Sequence, residues 1–255
     1  MIQLIFLGTG TSQGIPVIGS NNPVCLSSNS KDKRLRCSLL ISWNKKNHII
    51  DCGPDFRQQI LNNPIKNLDG LLFTHHHADH TAGFDDIRPF CFRQGSIDIY
   101  STYDVYHNLK KRFDYIINDE NKYPGAPYVK ANIIDQNKKF KLSGKWITPI
   151  KAFHYNISVT GYRIDNIAYM TDVKTIDEDS KSKLKNLDIL VLSCLRIEPH
   201  QSHLNLEEAI SLVEELKPKK TYFIHISNLL GFHDKVSKSL PKNIFLAYDN
   251  LSITC

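Results

Sequence analysis

A short run of metal-competent side chains is the most informative feature of the sequence. Residues 75–80 read His-His-His-Ala-Asp-His and directly follow an apolar segment that ends at Thr74. Imidazole nitrogens bind zinc and similar borderline cations, and a carboxylate adds charge and also binds harder cations. Ordinary core or surface positions rarely gather four histidines and one aspartate within six residues. The run is internal and interrupted by Ala78 and Asp79, which excludes an affinity tag and predicts a metal site.

The spacing of this run resembles the HxHxDH pattern of the metallo-β-lactamase superfamily. In that superfamily the pattern is followed by a later His, then an Asp and then a final His, each at the end of a strand. The matches in this chain occur in the same order and extend over most of its length. The residues that the resemblance implies as metal ligands are His75, His77, Asp79, His80, His154, Asp172 and His225.

The resemblance implies two divalent metal ions, zinc or manganese, as cofactors. The implied ligands are His75, His77 and His154 for one ion, Asp79, His80 and His225 for the other, and Asp172 between them. Two such ions about 3.5–4 Å apart can share a hydroxide, lower its pKa and stabilise the entering and leaving oxygens. Two dications set against two carboxylates leave excess positive charge, which favours an anionic phosphate over a neutral amide.

Metal-bound histidines usually need a carboxylate or carbonyl behind them. Asp51, at the end of an apolar segment, and Asp69, before the metal-binding run, are the candidates in this sequence. For each of them, an ordinary aspartate of a turn or strand end is an equally good interpretation.

Three further segments narrow the resemblance to the phosphodiesterase branch of the superfamily. Residues 8–16 read GTGTSQGIP, residues 34–38 read RLRCS and residues 51–57 read DCGPDFR. Within that branch they are most similar to the enzymes that open phosphoribosyl 1,2-cyclic phosphate in phosphonate breakdown. The resemblance therefore implies that a metal-bridged hydroxide hydrolyses a small, anionic phosphodiester, such as a cyclic one.

The same resemblance implies Asp79 and His203 as catalytic residues. His203 precedes a predicted helix, where a histidine of this branch assists the leaving group by donating a proton. His200 is the alternative donor, and a histidine that only caps the helix or faces solvent is the structural alternative. Arg88 could bind a phosphate or form a surface salt bridge, and the loop 8–12 could offer N–H groups to an anion or be only a turn.

One departure from this branch concerns a structural zinc. The cyclic-phosphate enzymes hold it with Cys-x-Cys-x-x-Cys and a His three residues past the last catalytic ligand, whereas this chain has Ser20, Asn22, Cys25 and Asn228 there. One thiolate cannot hold a structural zinc. We therefore expect no metal at these residues, and Asn and Ser side chains that hydrogen-bond the loop instead.

The pattern of apolar residues predicts an α/β fold. A helix is expected at 53–61, and Asn205 is expected to cap another that ends before Pro218. The expected strands are 1–7, 37–43, 47–51, 69–75, 147–152, 158–164, 167–170, 187–193 and 221–226. The resemblance implies a four-layer αββα sandwich with the dimetal site at strand ends. We expect one domain over residues 1–255, with residues 96–144 as peripheral elements near the site.

Composition limits the classes of partner. The formal net charge of +6 in 255 residues is far from that of a nucleic-acid-binding polycation. No apolar run approaches the roughly 18 residues that a membrane span needs, so no membrane partner is expected. The six cysteines form no CxxC pair, which argues against a disulfide scaffold and favours the cytoplasm.

A small anionic phosphodiester is therefore the expected substrate, and a homodimer is left open. The alternative is a nuclease of the tRNA 3′-processing type acting on RNA or DNA, which the Tyr- and Lys-rich residues 100–141 keep open. Such a nuclease should carry a basic channel with exposed aromatics. Hydrolysis of β-lactams or thioesters, and a metal-binding scaffold without catalysis, are weaker alternatives.

Overall fold

The chain folds into two units, each built on its own β-sheet, and the units are described separately. Unit 1 contains Met1–Leu7, Ser38–Asp135 and Asn250–Cys255, and unit 2 contains Gly8–Cys37 and Gln136–Asp249. The computed structural model describes the backbone of residues 1–255 and all side chains except that of residue 119. One domain over residues 1–255, with 96–144 peripheral, stays a prediction.

The strands and helices alternate along much of the chain. The strands are β1 (Gln3–Gly8), β2 (Ser38–Trp43), β3 (Lys46–Ile50), β4 (Gly70–Leu72), β5 (Ile97–Ser101), β6 (Val129–Ile133), β7 (Phe140–Leu142), β8 (Lys145–His154), β9 (Ile157–Ile164), β10 (Ile167–Met170), β11 (Ile189–Ser193), β12 (Lys220–Ile224), β13 (Ile244–Leu246) and β14 (Ser252–Thr254). The α-helices are α1 (Pro23–Leu26), α2 (Phe56–Asn62), α3 (Ala78–Thr81), α4 (Arg88–Gln94), α5 (Tyr103–Arg112), α6 (Asp114–Ile117), α7 (Glu178–Ser182), α8 (Leu206–Leu216) and α9 (His233–Ser237).

The sheet of unit 1 has the strand order β14-β1-β2-β3-β4-β5-β6. Its β2–β3 hairpin turns at Asn44 and Lys45, which both adopt positive φ, as a two-residue hairpin turn requires. From β3 to β6 the neighbouring strands are parallel, and Ile50 of β3 pairs with Leu72 of β4. The residues that follow these two strands therefore emerge at one edge of the sheet.

A cluster of buried side chains forms the core of unit 1. Leu40 and Ile49 come from the sheet, Phe73 follows β4, and Phe84 and Ile87 lie in the turn before α4. All three residues of β4 are buried, as expected for a parallel strand inside a sheet. The core thus fixes the start of the metal-competent run at residues 75–80.

The sheet of unit 2 has the order β13-β12-β11-β10-β9-β8-β7. Strands β10 to β13 are parallel, whereas β9 runs antiparallel to both β10 and β8. Strand β8 therefore points in the same direction as β10 and β12, and their carboxyl ends lie at one edge. His154 ends β8, Asp172 comes two residues after β10, and His225 directly follows β12.

Helix α8 follows the sequence prediction closely. The Asn205 side chain accepts the backbone N–H of Glu208, and the Glu208 carboxylate accepts that of Asn205, a complete capping box. Ala209 and Val213 bury the apolar stripe in the core of unit 2. The helix ends at Leu216, before a left-handed residue and Pro218.

The predicted α/β class is confirmed, because both units combine a mixed sheet with helices. Residues 96–144, which the sequence analysis predicts as peripheral elements, contain β5, α5 and β6, and the two strands complete the parallel part of the sheet of unit 1. Within the described residues, no helix is both long enough and apolar enough to cross a bilayer.

Acid is expected to destabilise the fold through His48, which is buried in β3 and stacks on Trp43 with the ring centroids 4.0 Å apart. Burial lowers the pKa of His48 from 6.5 to about 4. The unfolded chain then binds a proton that the folded chain does not bind. Above pH 6.5 the ring is neutral in both states, and the full stability is present. As the pH falls from 6.5 through 4, the free energy of unfolding decreases by about 3 kcal/mol in total.

Urea unfolding of the metal-free chain at pH 7 and pH 4.5 measures this effect. His48→Phe keeps an aromatic ring on Trp43 and removes the titrating group, so its unfolding free energy should change less between the two pH values. Replacement of the exposed His107 by Gln is the control and should leave the wild-type pH dependence intact. Equal pH dependence in wild type and His48→Phe would contradict the assignment.

Candidate metal centre

The metal-competent run of unit 1 lies at the carboxyl end of β4. His75 and His77 stand on the segment that links β4 to α3, and Asp79 and His80 occupy the first turn of α3. His75 and His80 are buried, whereas His77 and Asp79 are half-buried. The intervening His76 instead places its Nδ1 3.5 Å from a carboxylate oxygen of Asp104 on α5.

The four predicted ligands of unit 1 converge. Nε2 of His75 lies 3.0 Å from Nδ1 of His77, and the rings of His75 and His80 have centroids 4.3 Å apart. Nε2 of His80 lies 3.1 Å from a carboxylate oxygen of Asp79. The structure therefore brings together all four residues of the run that the sequence analysis assigned to metal.

Asp51 orients two of these histidines from behind. Its carboxylate accepts a hydrogen bond from Nδ1 of His80 at 2.7 Å and from the hydroxyl of Thr74 at 2.8 Å. Nδ1 of His75 lies 3.0 Å from the same hydroxyl. Because a hydroxyl that donates to Asp51 can accept from His75, both rings are held with Nε2 available to a metal.

The backbone of Asp51 also marks a functional position. Asp51 directly follows β3 and has a φ of 63°, in the left-handed region. A non-glycine residue keeps this strained conformation where surrounding contacts hold it, and such residues cluster at functional sites. Burial raises the pKa of the Asp51 carboxyl, while the His80 ring and the donors of Thr74 oppose the rise. The other candidate, Asp69, instead accepts the backbone N–H of Asn47 and pairs with Lys46, so it is a turn aspartate.

Residues distant in sequence fix the backbone of this run. Arg112 of α5 donates from Nη1 to the carbonyl of His76 at 3.1 Å and to the Thr81 hydroxyl at 2.7 Å. The Thr81 hydroxyl in turn donates to the carbonyl of His77. Arg112 is not recognisable from the sequence, because no local signal links it to Thr81, 31 residues earlier.

Close packing adds a further constraint. The N–H of Gly83 donates to the carbonyl of Cys52, and a Cβ at residue 83 would lie 2.2 Å from the carbonyl oxygen of Gly53. Only glycine fits there, so the turn after α3 rests directly on the loop that carries Asp51.

The predicted ligands of unit 2 stand at the ends of its strands. Nε2 of His225 lies 3.1 Å from a carboxylate oxygen of Asp172, and both residues are buried. Their φ values are 53° for Asp172 and 56° for His225, the same left-handed strain as at Asp51. The Thr171 hydroxyl donates to Asp172, and the N–H of His225 donates to Sγ of Cys37.

His154 is oriented by a backbone carbonyl. Its Nδ1 donates to the carbonyl oxygen of Ser202 at 2.7 Å, which leaves Nε2 as the ligand atom. The loop that contains Ser202 also carries His203. The histidines of this loop are visible in the sequence, whereas the Ser202 carbonyl has no sequence signal.

His203 lies among the unit 2 ligands. Its ring centroid is 4.3 Å from that of His154 and 4.8 Å from that of His225, and its Nδ1 is 3.8 Å from a carboxylate oxygen of Asp172. One ligand atom each of His154, Asp172 and His203 lies within 4.8 Å of the other two. Burial, followed by the charge of His225, lowers the pKa of His203 to about 2. His200 is more exposed and lies farther out on the same loop.

An ion pair links the loop after Asp172 to the first turn of α8, which follows His203. Lys174 donates to both carboxylate oxygens of Glu208, at 2.7 and 2.9 Å. Glu208 also belongs to the capping box of α8. The carbonyl of Val173 accepts the N–H of Leu204, so these contacts hold Asp172 and His203 in a fixed relation.

These donor sets fit divalent metal ions. Within each unit, imidazole nitrogens converge with a carboxylate, and partners behind His75, His80 and His154 fix the ring orientations. Such nitrogen and oxygen donors suit zinc and manganese alike.

The loop with the altered zinc-site residues is held by hydrogen bonds. The Ser20 hydroxyl accepts the N–H of Asn22, and the Asn22 side chain accepts that of Val24. Sγ of Cys25 accepts the N–H of Val17 and packs in a small apolar cluster. The expectation that Ser and Asn side chains hydrogen-bond this loop is confirmed.

Two groups that the sequence offered as phosphate ligands, Arg88 and the Gly-Thr loop, make contacts within the protein. Arg88 pairs with Asp85 through both carboxylate oxygens and contacts Tyr123, so it forms the surface salt bridge that was one of its two interpretations. In the Gly-Thr loop, the N–H groups of Gly10 and Thr11 donate to the carbonyls of Leu35 and Ile226. The turn interpretation holds for these two N–H groups.

Comparisons with known proteins agree with this fold. The family model for the β-lactamase superfamily domain matches residues 46–226. A solved structure described as a new diphosphatase from the PhnP family is 37% identical, with a TM-score of 0.93, and the match covers 100% of this chain and 98% of that one.

Two of the curated relatives carry different names. An octanoyltransferase of Porphyromonas gingivalis is 34% identical over 252 residues, which are 98% of this chain and 51% of the relative. A ribonuclease Z of Clostridium kluyveri is 26% identical over 189 residues, which are 73% of this chain and 54% of the relative. The chain thus spans about half the length of the curated relatives it matches.

The fold and the family model define the class. The chain belongs to the β-lactamase superfamily, with the metallo-β-lactamase fold, which confirms the predicted resemblance and fold class. This is a family of hydrolases whose fold implies divalent metal ions, in agreement with the His and Asp clusters.

Proposed function

We propose that this chain is a metal-dependent phosphodiesterase that hydrolyses a small phosphodiester, cyclic phosphodiesters included. The observation that carries the proposal is the hydrogen-bond relay from His75 through Thr74 to Asp51, which also holds His80. A buried carboxylate that orients two imidazoles is the arrangement that metal ligands need. The 37% identity to a PhnP-family diphosphatase over the whole chain supports chemistry at a phosphate.

The proposed ligands of the two ions are those assigned from the sequence. They are His75, His77, Asp79, His80, His154, Asp172 and His225. When bound, zinc or manganese ions act as Lewis acids and bring the pKa of water towards neutrality. The Asp79 carboxylate lies 3.1 Å from Nε2 of His80, among the proposed ligands, where it can also accept a proton from the attacking water. Two aspartates against two dications leave positive charge for an anionic substrate.

His203 is the proposed donor to the leaving oxygen. Its ring lies beside His154, Asp172 and His225. The form that donates the proton is the imidazolium, and the charge of the Asp172 carboxylate favours that form. His200 stands farther out, in agreement with the choice of His203.

Replacing His203 by Gln is expected to lower kcat by about 10²-fold while the metal content stays the same, because general acid catalysis contributes about that much. Elemental analysis and turnover of a phosphodiester with a poor leaving group measure the two quantities. The exposed His107→Gln is the control. Loss of a metal equivalent would make His203 a ligand, and loss of rate in His200→Gln instead would make His200 the donor; either result contradicts the proposed role.

A nuclease is the second candidate, because the ribonuclease Z relative aligns with 73% of this chain. The octanoyltransferase relative is a weaker guide to activity, because this chain matches about half of it. Acyl transfer through a thiol would need an activated cysteine, whereas burial raises the pKa of Cys52, Cys91 and Cys194.

A panel of substrates separates these candidates. Metal-loaded protein is assayed on bis(p-nitrophenyl) phosphate, a 2′,3′-cyclic nucleotide, a ribosyl cyclic phosphate and a structured RNA. The proposal predicts turnover of at least one small diester. Cleavage of RNA without turnover of any small diester would favour the nuclease, and no turnover at all would contradict both.

The cytoplasm is the proposed location. All six cysteines are thiols, five of them buried. Proteins of oxidising compartments tend to use cysteines in disulfides.

A further inference from the structure

The strained backbone at His225, whose φ is 56°, is held on both sides by hydrogen bonds to distant segments of unit 2. Before it in the chain, the carbonyl of Phe223 accepts the N–H of Ala247 at 3.0 Å. After it, the N–H of Ile226 donates to the carbonyl of Thr9, also at 3.0 Å. The position of His225 therefore depends on how the segments at residues 9 and 247 are placed relative to each other.

Arg34 joins these two segments. Its side chain is buried, and its Nη1 donates to the hydroxyl of Thr9 at 2.7 Å and to the carbonyl of Ala247 at 2.6 Å. Its Nη2 lies 3.1 Å from Nδ1 of His233, and because a guanidinium can only donate, this ring nitrogen accepts. One rigid, planar group thus connects both segments that hold the backbone around His225.

The charge of Arg34 is balanced within the same cluster. The Asp249 carboxylate accepts the hydroxyl of Thr9 at 2.7 Å and the N–H of Leu35 at 2.6 Å. Burial raises the pKa of Asp249 to about 6, so the carboxylate is still mostly ionised at neutral pH. Burial also lowers the pKa of His233 to about 4, which keeps that ring neutral and able to accept. The members stabilise one another as a set, because removal of one partner leaves a charge uncompensated.

The segment that carries Arg34 also contacts the ligand directly. Cys37, three residues further on, accepts the N–H of His225 on its Sγ at 3.2 Å. The neighbouring segment packs closely, since a Cβ at Gly10 would lie 2.9 Å from Cβ of Arg34. The RLRCS motif at residues 34–38 therefore supports His225 directly through its cysteine and indirectly through its first arginine.

We propose that Arg34 is a positioning residue for His225. Through Thr9 and Ala247 it holds the backbone on either side of this ligand, and so it fixes the place that the imidazole offers to a metal ion. The inference rests on the ligands assigned under the proposed function and adds a residue that contacts neither metal nor substrate. Arg34 thereby controls the affinity for the ion that His225 binds, and for that ion alone.

Titration with zinc in the presence of a competing chelator tests the proposal on wild type and Arg34→Gln. The variant should bind one of two zinc equivalents about 10–100-fold more weakly, the usual cost of losing a group that orients a ligand. The other equivalent should keep its wild-type affinity. Wild-type affinity for both equivalents, or equal weakening of both, would overturn the positioning role.

A double variant shows whether Arg34 acts through His225. In the His225→Ala background, Arg34→Gln should weaken zinc binding no further, because a positioning residue has no effect once its ligand is gone. A residue that only stabilises unit 2 would lower the affinity by the same factor in both backgrounds. Such additive effects would overturn the proposal.

A milder variant accompanies Arg34→Gln, which leaves the Asp249 carboxylate without its counter-charge. Thr9→Val keeps the shape of residue 9 and removes only the hydroxyl that links Arg34 to Asp249. It should also weaken one zinc equivalent selectively. Urea unfolding of the metal-free chains establishes that each variant is folded and measures its stability. Wild-type affinity for both equivalents in a folded Thr9→Val would contradict the proposed route.

Two controls separate positioning from the loss of stability or of an arginine. Val213→Ala opens the core of unit 2 on the buried face of α8. Arg163→Gln removes an arginine that also donates to backbone carbonyls of unit 2, those of Lys183 and Lys185. Both should keep wild-type affinity for both equivalents. Selective weakening of the same equivalent in Val213→Ala would mean that stability alone explains the effect, which overturns the proposal.

The single variant His225→Ala separates failure of this inference from failure of the ligand assignment. If His225→Ala binds both equivalents as wild type does, His225 is not a ligand, and the assignment fails together with the inference. If His225→Ala loses one equivalent while Arg34→Gln and Thr9→Val keep it, only the positioning role is overturned. These measurements need no turnover, so they apply whichever substrate the protein hydrolyses.

Discussion

Replacing Asp172 by Asn is expected to remove at least one metal equivalent per chain. Because bound metal ions supply the hydroxide at neutral pH, phosphodiester turnover should fall by roughly 10³-fold or more. The side chain keeps its shape but loses the charge that two dications require. The residue is buried, and one of its oxygens is 3.1 Å from Nε2 of His225. Removal of this carboxylate leaves neighbouring imidazoles without the anion that completes the donor set.

Asp165→Asn is a matched control for this variant. Asp165 lies in the same unit, follows a strand and has a φ of 51°, close to the 53° of Asp172. It is exposed and pairs with Lys145. Metal content by elemental analysis and kcat on bis(p-nitrophenyl) phosphate should therefore match wild type in Asp165→Asn. A fully metallated, active Asp172→Asn would contradict the assigned role.

Replacing Asp51 by Asn is expected to weaken metal binding by about 10–100-fold, the usual cost of losing a partner that orients a ligand. Asn presents an N–H₂ group where the carboxylate accepts from Nδ1 of His80 and from the Thr74 hydroxyl. Because these donors are buried, the free energy of unfolding should also fall, by about 1–3 kcal/mol per unpaired group.

Titration with zinc in the presence of a competing chelator measures the affinity, and urea unfolding of the metal-free chain measures the stability. Asp69→Asn is the control, because Asp69 accepts a backbone N–H of β3 and contacts none of the histidines that Asp51 holds. It should leave the zinc affinity unchanged. Wild-type affinity in Asp51→Asn would contradict the orienting role of this carboxylate.

A local pattern made the metal-competent residues of unit 1 predictable, whereas His154, Asp172 and His225 of unit 2 came only from the resemblance to a family. The run at 75–80 is contiguous, and its spacing alone identifies the donor chemistry. Helix α8 was equally predictable, because its start and end depend on neighbouring residues. Asn205 and Glu208 cap its first turn, and Pro218 follows its last. The roles of the individual ligands came from the resemblance to a family and stay a proposal.

Contacts between distant parts of the sequence were not predictable. Asp51 and Asp69 are both carboxylates near strand ends, so either could orient the histidines on sequence grounds. The pairing of β3 with β4 shows that Asp51 is the one that reaches them. Arg112 and the Ser202 carbonyl act from other elements. Strand β6 lies in the Tyr- and Lys-rich segment and buries none of its five side chains, so no apolar pattern marks it. Strand β5 alternates buried and half-buried side chains, but over five residues only.

The most direct test of the account combines metal analysis with turnover on one preparation. The purified chain is assayed on bis(p-nitrophenyl) phosphate before chelation, after chelation and after addition of zinc or manganese, with elemental analysis at each step. The account predicts about two metal equivalents per active chain, loss of turnover on chelation and recovery on metal addition. Full turnover by the metal-free chain, or no turnover of any diester by the fully metallated chain, would contradict it.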